Sequence, residues 1–198
     1  MISRLFNIPA VVLILSCSAM GDAIAAPHKQ APARPQATAI SHAYSAFHHG
    51  DYKTTIHLLT HVIAADRNNV AARRLFAYAL LRDGSAALAQ QQFALLSRLP
   101  NAHATDWLGL ADAQFAHEDL KSAALSYERA SELDANCLQA YDGMIRCNQA
   151  LGRDEKALES ALRGIHLSKT ESARAHFRKA LHDLHHKPHQ VAVAGAGS

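Results

Sequence analysis

A turn signature recurs along this chain every 34 residues, and this spacing constrains the fold more than any other feature. The positions that mark it are Gly50, Gly84, Glu118 and Gly152. A short unit repeated at a period of about 20–50 residues indicates an array in which each unit buries its apolar face against the next. We therefore expect stacked copies of one small structural unit.

The third unit, DWLGLADAQFAHEDLKSAALSYERASELD over 106–134, shows what each copy contains. Apolar residues fall at helical spacing on both sides of a polar break at 117–119: Trp107, Leu110 and Ala111 before it, then Ala123, Tyr127 and Ala130. This periodicity predicts two short amphipathic helices joined by a tight turn. A hairpin of this size cannot bury its apolar face alone, so it needs a neighbouring copy.

Four further positions keep their register relative to each turn. Seven residues before it stand Ala43, Ala77, Ala111 and Ile145. Five residues after it stand Thr55, Ala89, Ala123 and Ala157, where the helices must approach closely. Nine residues after it stand Leu59, Phe93, Tyr127 and Ala161, and twelve after it stand Val62, Leu96, Ala130 and Gly164.

A 34-residue helical hairpin with a small residue in the middle of each helix resembles the tetratricopeptide repeat family, over roughly residues 36–167. The third unit matches best, and the first departs most, with Ala39 and Thr55 at places where a large aromatic residue and Ala are usual. The resemblance implies an all-α, right-handed superhelical solenoid of about four helix-turn-helix units. We expect these units near 36–69, 70–103, 104–137 and 138–169.

The periodicity also predicts individual helices. First helices are expected near 36–49, 71–83, 104–116 and 138–150, and second helices near 53–65, 86–99, 121–133 and 155–167. A ninth, capping helix within 170–186 carries one apolar stripe, formed by Ala173, Phe177, Leu181 and Leu184. Ser168 with Glu171 three residues later predicts a capping box at its start. Such a helix would cover the apolar end of an open stack.

The two ends of the chain predict export and a tail. Residues 1–25 combine Arg4, an apolar core over 10–17 and the small residues around Ala25, which is typical of a cleaved signal peptide. We therefore expect a periplasmic or secreted protein; the alternative is membrane anchoring through lipidation of Cys17, which follows Ile-Leu-Ser. Residues 26–35 form a Pro/Ala-rich linker, and 187–198 a disordered tail.

Charge and cysteine content exclude some classes of function. The chain has 20 Lys and Arg against 17 Asp and Glu, with no basic stripe, so we expect no nucleic-acid partner. After cleavage only Cys137 and Cys147 remain, about 15 Å apart along one predicted helix. A disulfide needs Cα atoms within about 7 Å, so we expect two free thiols, or alternatively an intermolecular bridge through Cys137.

Histidine is unusually abundant, with 14 residues. His57 and His61 have the spacing of two metal ligands on one helix, and a second group is His182, His185, His186 and His189. Neither group brings a cysteine or a well-placed carboxylate, so we expect solvated surface and no metal cofactor; a histidine-based metal-binding protein is the less favoured alternative. No phosphate loop, nucleophile elbow or HExxH motif occurs, and we expect no enzyme and no other cofactor.

The resemblance also implies where a partner binds, because in this family the first helices line a concave groove. The places that contact ligands correspond here to Ile40, Tyr44, Phe47, His48, Arg74, Tyr78, Leu81, Arg82, Leu108, Asp112, Phe115, Asp142, Arg146 and Gln149. The Lys and Asn pair with which some members hold a chaperone's terminal carboxylate is absent from these places. We predict a protein-binding groove built from Tyr44, Phe47, Arg74, Tyr78, Leu81, Arg82, Phe115 and Arg146, its aromatic residues serving as anchors.

The predicted function is therefore that of a non-catalytic periplasmic scaffold, which binds an envelope protein or a peptide segment of one in its concave groove. The alternative is an accessory subunit of an envelope machine for polysaccharide export, pilus assembly or outer-membrane assembly. No membrane insertion after signal cleavage and no small-molecule substrate are implied.

Overall fold

The structure, a computed structural model, describes residues 34–186, and this part of the chain contains nine α-helices and no strand. The first helices of the four units are α1 (Arg34–His48), α3 (Val70–Arg82), α5 (Ala104–Ala116) and α7 (Leu138–Ala150). The second helices are α2 (Tyr52–Ala65), α4 (Ala86–Ser97), α6 (Leu120–Leu133) and α8 (Asp154–Leu167), and α9 (Glu171–His185) follows. The prediction of an all-α repeat solenoid is confirmed.

The helix ends agree with the sequence prediction to within two residues. Helix α1 begins at Arg34, inside the predicted linker, and its first turn includes Pro35. Proline is tolerated there because the first backbone N–H groups of a helix have no partner within it. The predicted signal peptide, Cys17, the rest of the linker, His189 and the predicted tail lie outside the described residues.

The turns within the units all use the left-handed backbone conformation. Gly50, Gly84 and Gly152 have φ of 77°, 85° and 68°, and Glu118 has φ of 63° at the same place in the third unit. Glycine adopts this conformation without a steric penalty, whereas a residue with a Cβ does not. The 34-residue recurrence of glycine thus reports a backbone requirement, which Glu118 meets at some cost.

The buried positions follow the predicted register. Thr55, Ala89, Ala123 and Ala157 are all 0% exposed, as are Leu59, Phe93, Tyr127 and Ala161. The apolar residues form four successive clusters along the stack instead of one central core. Each unit therefore depends on its neighbours for burial, which is the property that a repeat array requires.

Contacts between units decide the direction in which the stack bends. Helix α3 touches both α1 and α5, and α5 touches α7, whereas no two second helices approach each other as closely. The first helices therefore lie on the inside of the curve and the second helices on the outside. We call the surface formed by α1, α3, α5 and α7, together with α9, the inner face.

The residue that caps the N-terminus of α9 differs from the prediction. Its N-cap is Thr170, whose side chain accepts a hydrogen bond from the Ala173 N–H at 3.2 Å. The predicted capping box of Ser168 and Glu171 is wrong, because the Ser168 hydroxyl donates to the Gly164 carbonyl at 2.6 Å and is occupied at the end of α8. The apolar side of α9 is packed as predicted, with Phe177 and Leu184 buried.

Large and small residues alternate across the junctions between units. A Cβ added to Gly109 would lie 2.3 Å from the Phe93 ring, and one added to Gly143 would lie 2.3 Å from the Tyr127 ring. At the last junction the order is reversed: the aromatic ring is Phe177 on the incoming helix α9, and the glycine is Gly164 on α8. Phe177 stands 34 residues after Gly143, so α9 carries its largest side chain where α7 carries none.

No helix within residues 34–186 has both the length and the apolar character that a membrane-spanning helix needs.

Candidate functional site

The four first helices, which form most of the inner face, carry all eight residues predicted for the groove. Two lie on α1, four on α3, one on α5 and one on α7, as the register requires. Their surroundings nevertheless differ from one end of the stack to the other. On α3, Arg74 and Tyr78 are held by neighbouring helices, whereas Arg146 on α7 lines an open cleft.

Arg74 is bound to the protein itself. Its Nε and Nη2 donate to Asp106 Oδ1 and Oδ2 at 2.6 Å and 2.8 Å, a bidentate pair that joins α3 to α5. The Asp106 side chain is 0% exposed, and it also accepts a hydrogen bond from the His103 N–H at 3.0 Å. Burial alone would raise the pKa of Asp106, but the bonds from Arg74 and His103 outweigh it and the pKa lies below its ordinary value. Arg74 therefore fixes the spacing of two units.

Tyr78 is also partly a packing residue. Its ring lies 4.9 Å from the Phe93 ring in an edge-to-face arrangement, and its hydroxyl donates to the Thr105 carbonyl at 2.8 Å. Burial raises the pKa of Tyr78 to about 12. This tyrosine, like Arg74, connects the second unit to the third, and only the remainder of its surface faces the groove.

The other predicted residues of the first two units are more accessible. Tyr44 is 43% exposed, which makes it an uncovered aromatic side chain on α1. Phe47 is half-buried, with its ring 5.5 Å from that of Tyr52 on α2. Leu81 packs partly against the second cluster of the core, and Arg82 is exposed at the end of α3.

Phe115 and Arg146 come together from two neighbouring units. The Arg146 guanidinium carbon lies 4.6 Å from the centroid of the Phe115 ring, within the range of a cation–π interaction. Arg146 Nε also lies 3.2 Å from Asp142 Oδ2, one turn earlier on α7. Arg146 and Asp142 also line an opening on the inner face.

That opening is a cleft of about 530 Å³ between α7 and α9, which we call the inner cleft. Its walls are Asp112, Leu138, Gln139, Asp142, Arg146, Thr170, Ser172, Ala173, His176 and Phe177. A hydrogen bond across it joins His176 Nε2 to Asp142 Oδ1 at 2.8 Å. The cleft thus combines an apolar floor with charged and polar groups, a composition suited to binding.

The inner cleft exists because α9 does not approach α7 as closely as α7 approaches α5. The glycine of α7, Gly143, lets the α5–α6 hairpin pack closely through Tyr127. Phe177 at the equivalent place fills this space with its own ring, which rests on Gly164 of α8. The reversal of large and small residues at the last junction therefore accompanies an opening on the inner face.

One carboxylate of the inner cleft has unusual electrostatics. Burial raises the pKa of Asp112, although a hydrogen bond from the Tyr127 hydroxyl at 2.5 Å and the nearby Arg146 and Arg82 act in the opposite direction. Burial and the same bond raise the pKa of Tyr127. Asp112 is therefore a half-buried carboxyl group in the wall of the inner cleft, hydrogen-bonded to Tyr127.

The described residues offer little for metal or thiol chemistry. No three His, Cys, Asp or Glu side chains between 34 and 186 stand close enough together to hold a metal ion. His57 and His61 stack edge to face with centroids 5.1 Å apart, and His182 and His186 stack in parallel at 4.0 Å. Cys137 and Cys147 are free and buried, and burial raises the pKa of the Cys147 thiol to about 11.

Sequence reasoning missed two residues of this surface and one buried polar residue elsewhere. Asp106, which holds Arg74, and His176, which bridges the inner cleft, were not identified as participants, and Asn148 was not recognised as a buried polar residue. The 34-residue register offers a signal for His176, because it places this residue exactly one unit after Asp142. The Arg74–Asp106 pair spans 32 residues and leaves no such mark.

Comparison with family models and with curated proteins gives no match. Solved structures do match. MamA residues 41 to the end, from Desulfovibrio magneticus RS-1, is 17% identical, with a TM-score of 0.65 over 69% of this chain and 77% of that one. The first TPR domain of human RPAP3 is 25% identical, with a TM-score of 0.55 over 62% and 96% of the two chains.

A third similar structure contains a bound segment. It is PcrH in complex with the chaperone binding region of PopB, which is 19% identical with a TM-score of 0.54 over 58% of this chain and 95% of that one. PcrH comes from Pseudomonas aeruginosa. At these levels of identity the comparisons establish a shared fold.

Proposed function

We propose that this chain, which has the tetratricopeptide-repeat fold, is a non-catalytic scaffold that binds a segment of an envelope protein along its inner face. The observation that carries the proposal is the inner cleft between α7 and α9. Its volume of about 530 Å³ is within the range of binding pockets, and it continues the inner face to the C-terminal end of the stack. The PopB segment held by PcrH, a protein of the same fold, supports binding of this kind.

The partner enters the inner cleft with an apolar side chain and lies along the inner face toward α1. Phe177, Ala173 and Leu138 supply apolar contacts inside the cleft, and the exposed ring of Tyr44 supplies an aromatic one at the other end. Arg146 and Arg82 favour a segment that carries acidic residues beside the apolar ones. Tyr78 and Arg74 contribute mainly by holding α3 and α5 at the correct spacing.

Site-specific crosslinking in intact cells tests this proposal. A photo-reactive amino acid is placed at Ser172, an exposed wall residue of the inner cleft, and in a matched variant at Lys121, exposed on α6. We expect a discrete adduct from position 172 that position 121 does not give. An adduct from position 121 alone would mean that the partner docks on the outside, as expected of an accessory subunit of an envelope machine.

The captured partner then allows a quantitative measurement. Tyr44→Ala removes an exposed anchor and should weaken binding by about 1–3 kcal/mol without changing the unfolding midpoint. Lys121→Ala is the control, expected to change neither quantity. Equal binding by Tyr44→Ala and the unaltered protein would exclude the α1 end from the binding surface.

The envelope location is part of the same proposal and rests on residues 1–25 of the sequence. Expression in a bacterial host followed by mass measurement of the exported protein tests it. A mature chain beginning at Ala26 is the expected product. A lipid-modified chain beginning at Cys17 would indicate membrane anchoring, and an intact N-terminus in the cytoplasm would contradict the location.

A further inference from the structure

A second cleft lies on the outside of the stack, between α6 and α8. We call it the outer cleft. Its volume is about 250 Å³, and its lining comprises Ala124, Leu125, Glu128, Ser131, Met144, Asn148, Arg153, Lys156, Glu159, Ser160 and Arg163. The two second helices form its sides, while Met144 and Asn148 reach it from α7 behind them. It is thus separate from the inner cleft and faces a different direction.

One residue that lines the outer cleft has a buried polar atom without a partner. Asn148 is 5% exposed, and its Oδ1 is the one buried side-chain oxygen or nitrogen in residues 34–186 that makes no hydrogen bond. A buried acceptor in this state costs roughly 1–3 kcal/mol. A group that donates a hydrogen bond to Asn148 from within the cleft would recover this free energy.

Comparison with the preceding unit shows why Asn148 is left unpaired. Gln114 stands 34 residues before it, and its Oε1 accepts a hydrogen bond from the Ser126 hydroxyl at 2.7 Å. The equivalent serine of the fourth unit, Ser160, donates instead to the Lys156 carbonyl at 2.8 Å. The side chain of Asn148 is one methylene shorter than that of Gln114, and the bond that closes the third unit is missing from the fourth.

The charges around the outer cleft define what would complement it. Glu159 is neutralised by Arg163, with 2.9 Å between Oε1 and Nη2. Of the charged residues that line the cleft, Arg153 and Lys156 form no ion pair with another described residue. Glu128, which lines the cleft from α6, forms none either. Two available cations against one available anion favour an anionic occupant, and they disfavour an ammonium or guanidinium group as the donor to Asn148.

We propose that the outer cleft binds an acidic segment of a protein partner. A neutral donor of that segment, either a backbone N–H or an amide or hydroxyl side chain, bonds Asn148 Oδ1, and a neighbouring carboxylate meets Lys156 and Arg153. The volume of the cleft is below the range of about 300–1,000 Å³ that is usual for small-molecule sites, and it suits one or two side chains of a segment lying between α6 and α8. This site is independent of the inner face, so the scaffold would hold two partners on opposite sides.

Two blocked pentapeptides test the charge preference, using the full chain as the cell processes it. The acidic probe is acetyl-Ala-Asp-Asn-Asp-Ala-amide, and the basic probe has lysine in place of both aspartates. Binding is followed by nuclear magnetic resonance through the side-chain amide of Asn148 and the backbone N–H of Ser160. We expect the acidic probe to shift both signals and to bind about tenfold more tightly than the basic one. Equal binding of the two probes, or shifts confined to residues outside the cleft, would overturn the proposal.

Two variants separate binding from folding. Asn148→Leu replaces the unpaired amide with an apolar side chain of similar size, and we expect it to bind the acidic probe less well while its unfolding midpoint stays the same or rises. Lys156→Glu should weaken binding by about two- to fivefold, the range for one exposed ion pair. Its matched control is Lys121→Glu, the same charge change on α6 outside the cleft lining. If Lys156→Glu binds the acidic probe as well as Lys121→Glu does, or if Asn148→Leu binds it as well as the unaltered protein does, the probe does not occupy the outer cleft and the proposal is overturned.

Discussion

The junction between the third and fourth units and the junction between the fourth unit and α9 solve the same packing problem in opposite ways. In the former, Tyr127 on the second helix fits against Gly143 of the next first helix. In the latter, Phe177 on α9 fits against Gly164 of the second helix. Each junction holds one aromatic ring and one glycine, but α9 does not approach α7 as closely as α7 approaches α5.

The difference shows that the position of the large residue matters as much as its presence. A ring that comes from the second helix leaves the inner face closed, because the following first helix has only glycine at the contact. A ring that comes from the incoming helix accompanies an opening on the inner face, which here is the inner cleft. Four predictions test this comparison, from the largest expected effect to the smallest.

Removing the aromatic ring should affect the two junctions differently. Tyr127→Ala leaves a cavity between two units in the middle of the array and should lower the free energy of unfolding by about 3–5 kcal/mol. Phe177→Ala removes a ring from the terminal helix, so we expect α9 to open locally while the first four units remain folded. Urea unfolding measures the former, and amide hydrogen exchange along α9 measures the latter. Loss of protection across the whole chain in Phe177→Ala would show that α9 is not a separable cap.

Adding a methyl group to the glycine should damage the internal junction. In Gly143→Ala the new Cβ would lie 2.3 Å from Cζ of Tyr127, and we expect a loss of roughly 1–3 kcal/mol of stability from overpacking. The double variant Gly143→Ala with Tyr127→Leu has room for the methyl group, so it should lose less than the sum of the two single changes. Strictly additive losses in thermal unfolding would argue against direct contact between these two positions.

The junction between the second and third units holds the buried carboxylate of Asp106, bound to Arg74, whereas the contact between Asp142 and His176 at the junction with α9 is more exposed. Asp106 is buried, and Arg74 and His103 hold its pKa below the ordinary value. The ionised Asp106 therefore contributes to the free energy of unfolding above about pH 3.9, and this contribution is lost as the pH falls through the lowered pKa. We expect the unaltered protein to lose stability on acidification below about pH 4 more steeply than Asp106→Asn does. Chemical unfolding at a series of pH values provides this comparison.

The smallest effect is expected at the turn of the third unit, where Glu118 adopts the left-handed conformation that glycine adopts in the other three. Glu118→Gly should stabilise the protein by about 1 kcal/mol, because glycine has no steric penalty there. Gly152→Ala, at the equivalent turn of the fourth unit, should destabilise the protein by a similar amount, because alanine is strained in the left-handed conformation. The space around Gly152 is open, so backbone strain is the only cost of the new methyl group. Thermal unfolding of the two variants should therefore shift in opposite directions.

The sequence predicted the fold closely because four copies report the same constraint. The turn residues, the small residues of the helix crossings and the apolar faces recur at one period, so an irregularity such as Thr55 or Glu118 does not hide the register. The helix ends followed from that register to within two residues. The capping box predicted for α9 was wrong, because the Ser168 hydroxyl donates a hydrogen bond to the Gly164 carbonyl at the end of α8.

The candidate site was less predictable because it depends on the partners that side chains choose. The register places Arg74 and Tyr78 on the inner face, but it does not show that Asp106 and Thr105 occupy their polar groups. The inner cleft follows from where Phe177 points, and the unpaired oxygen of Asn148 follows from a single missing methylene. Each of these features is a departure from the repeat, and periodicity describes only what the repeats share.

The contact pattern also has a kinetic consequence. Close helix contacts join only neighbours along the chain or helices two apart, so hardly any contact has to wait for a distant part of the chain to arrive. Chains with such low contact order fold in roughly microseconds to milliseconds, and in a repeat array folding can start in any unit and spread to its neighbours. A length of chain that emerges from a narrow channel would thus acquire its hairpins one after another, with no need for its last helix to have arrived.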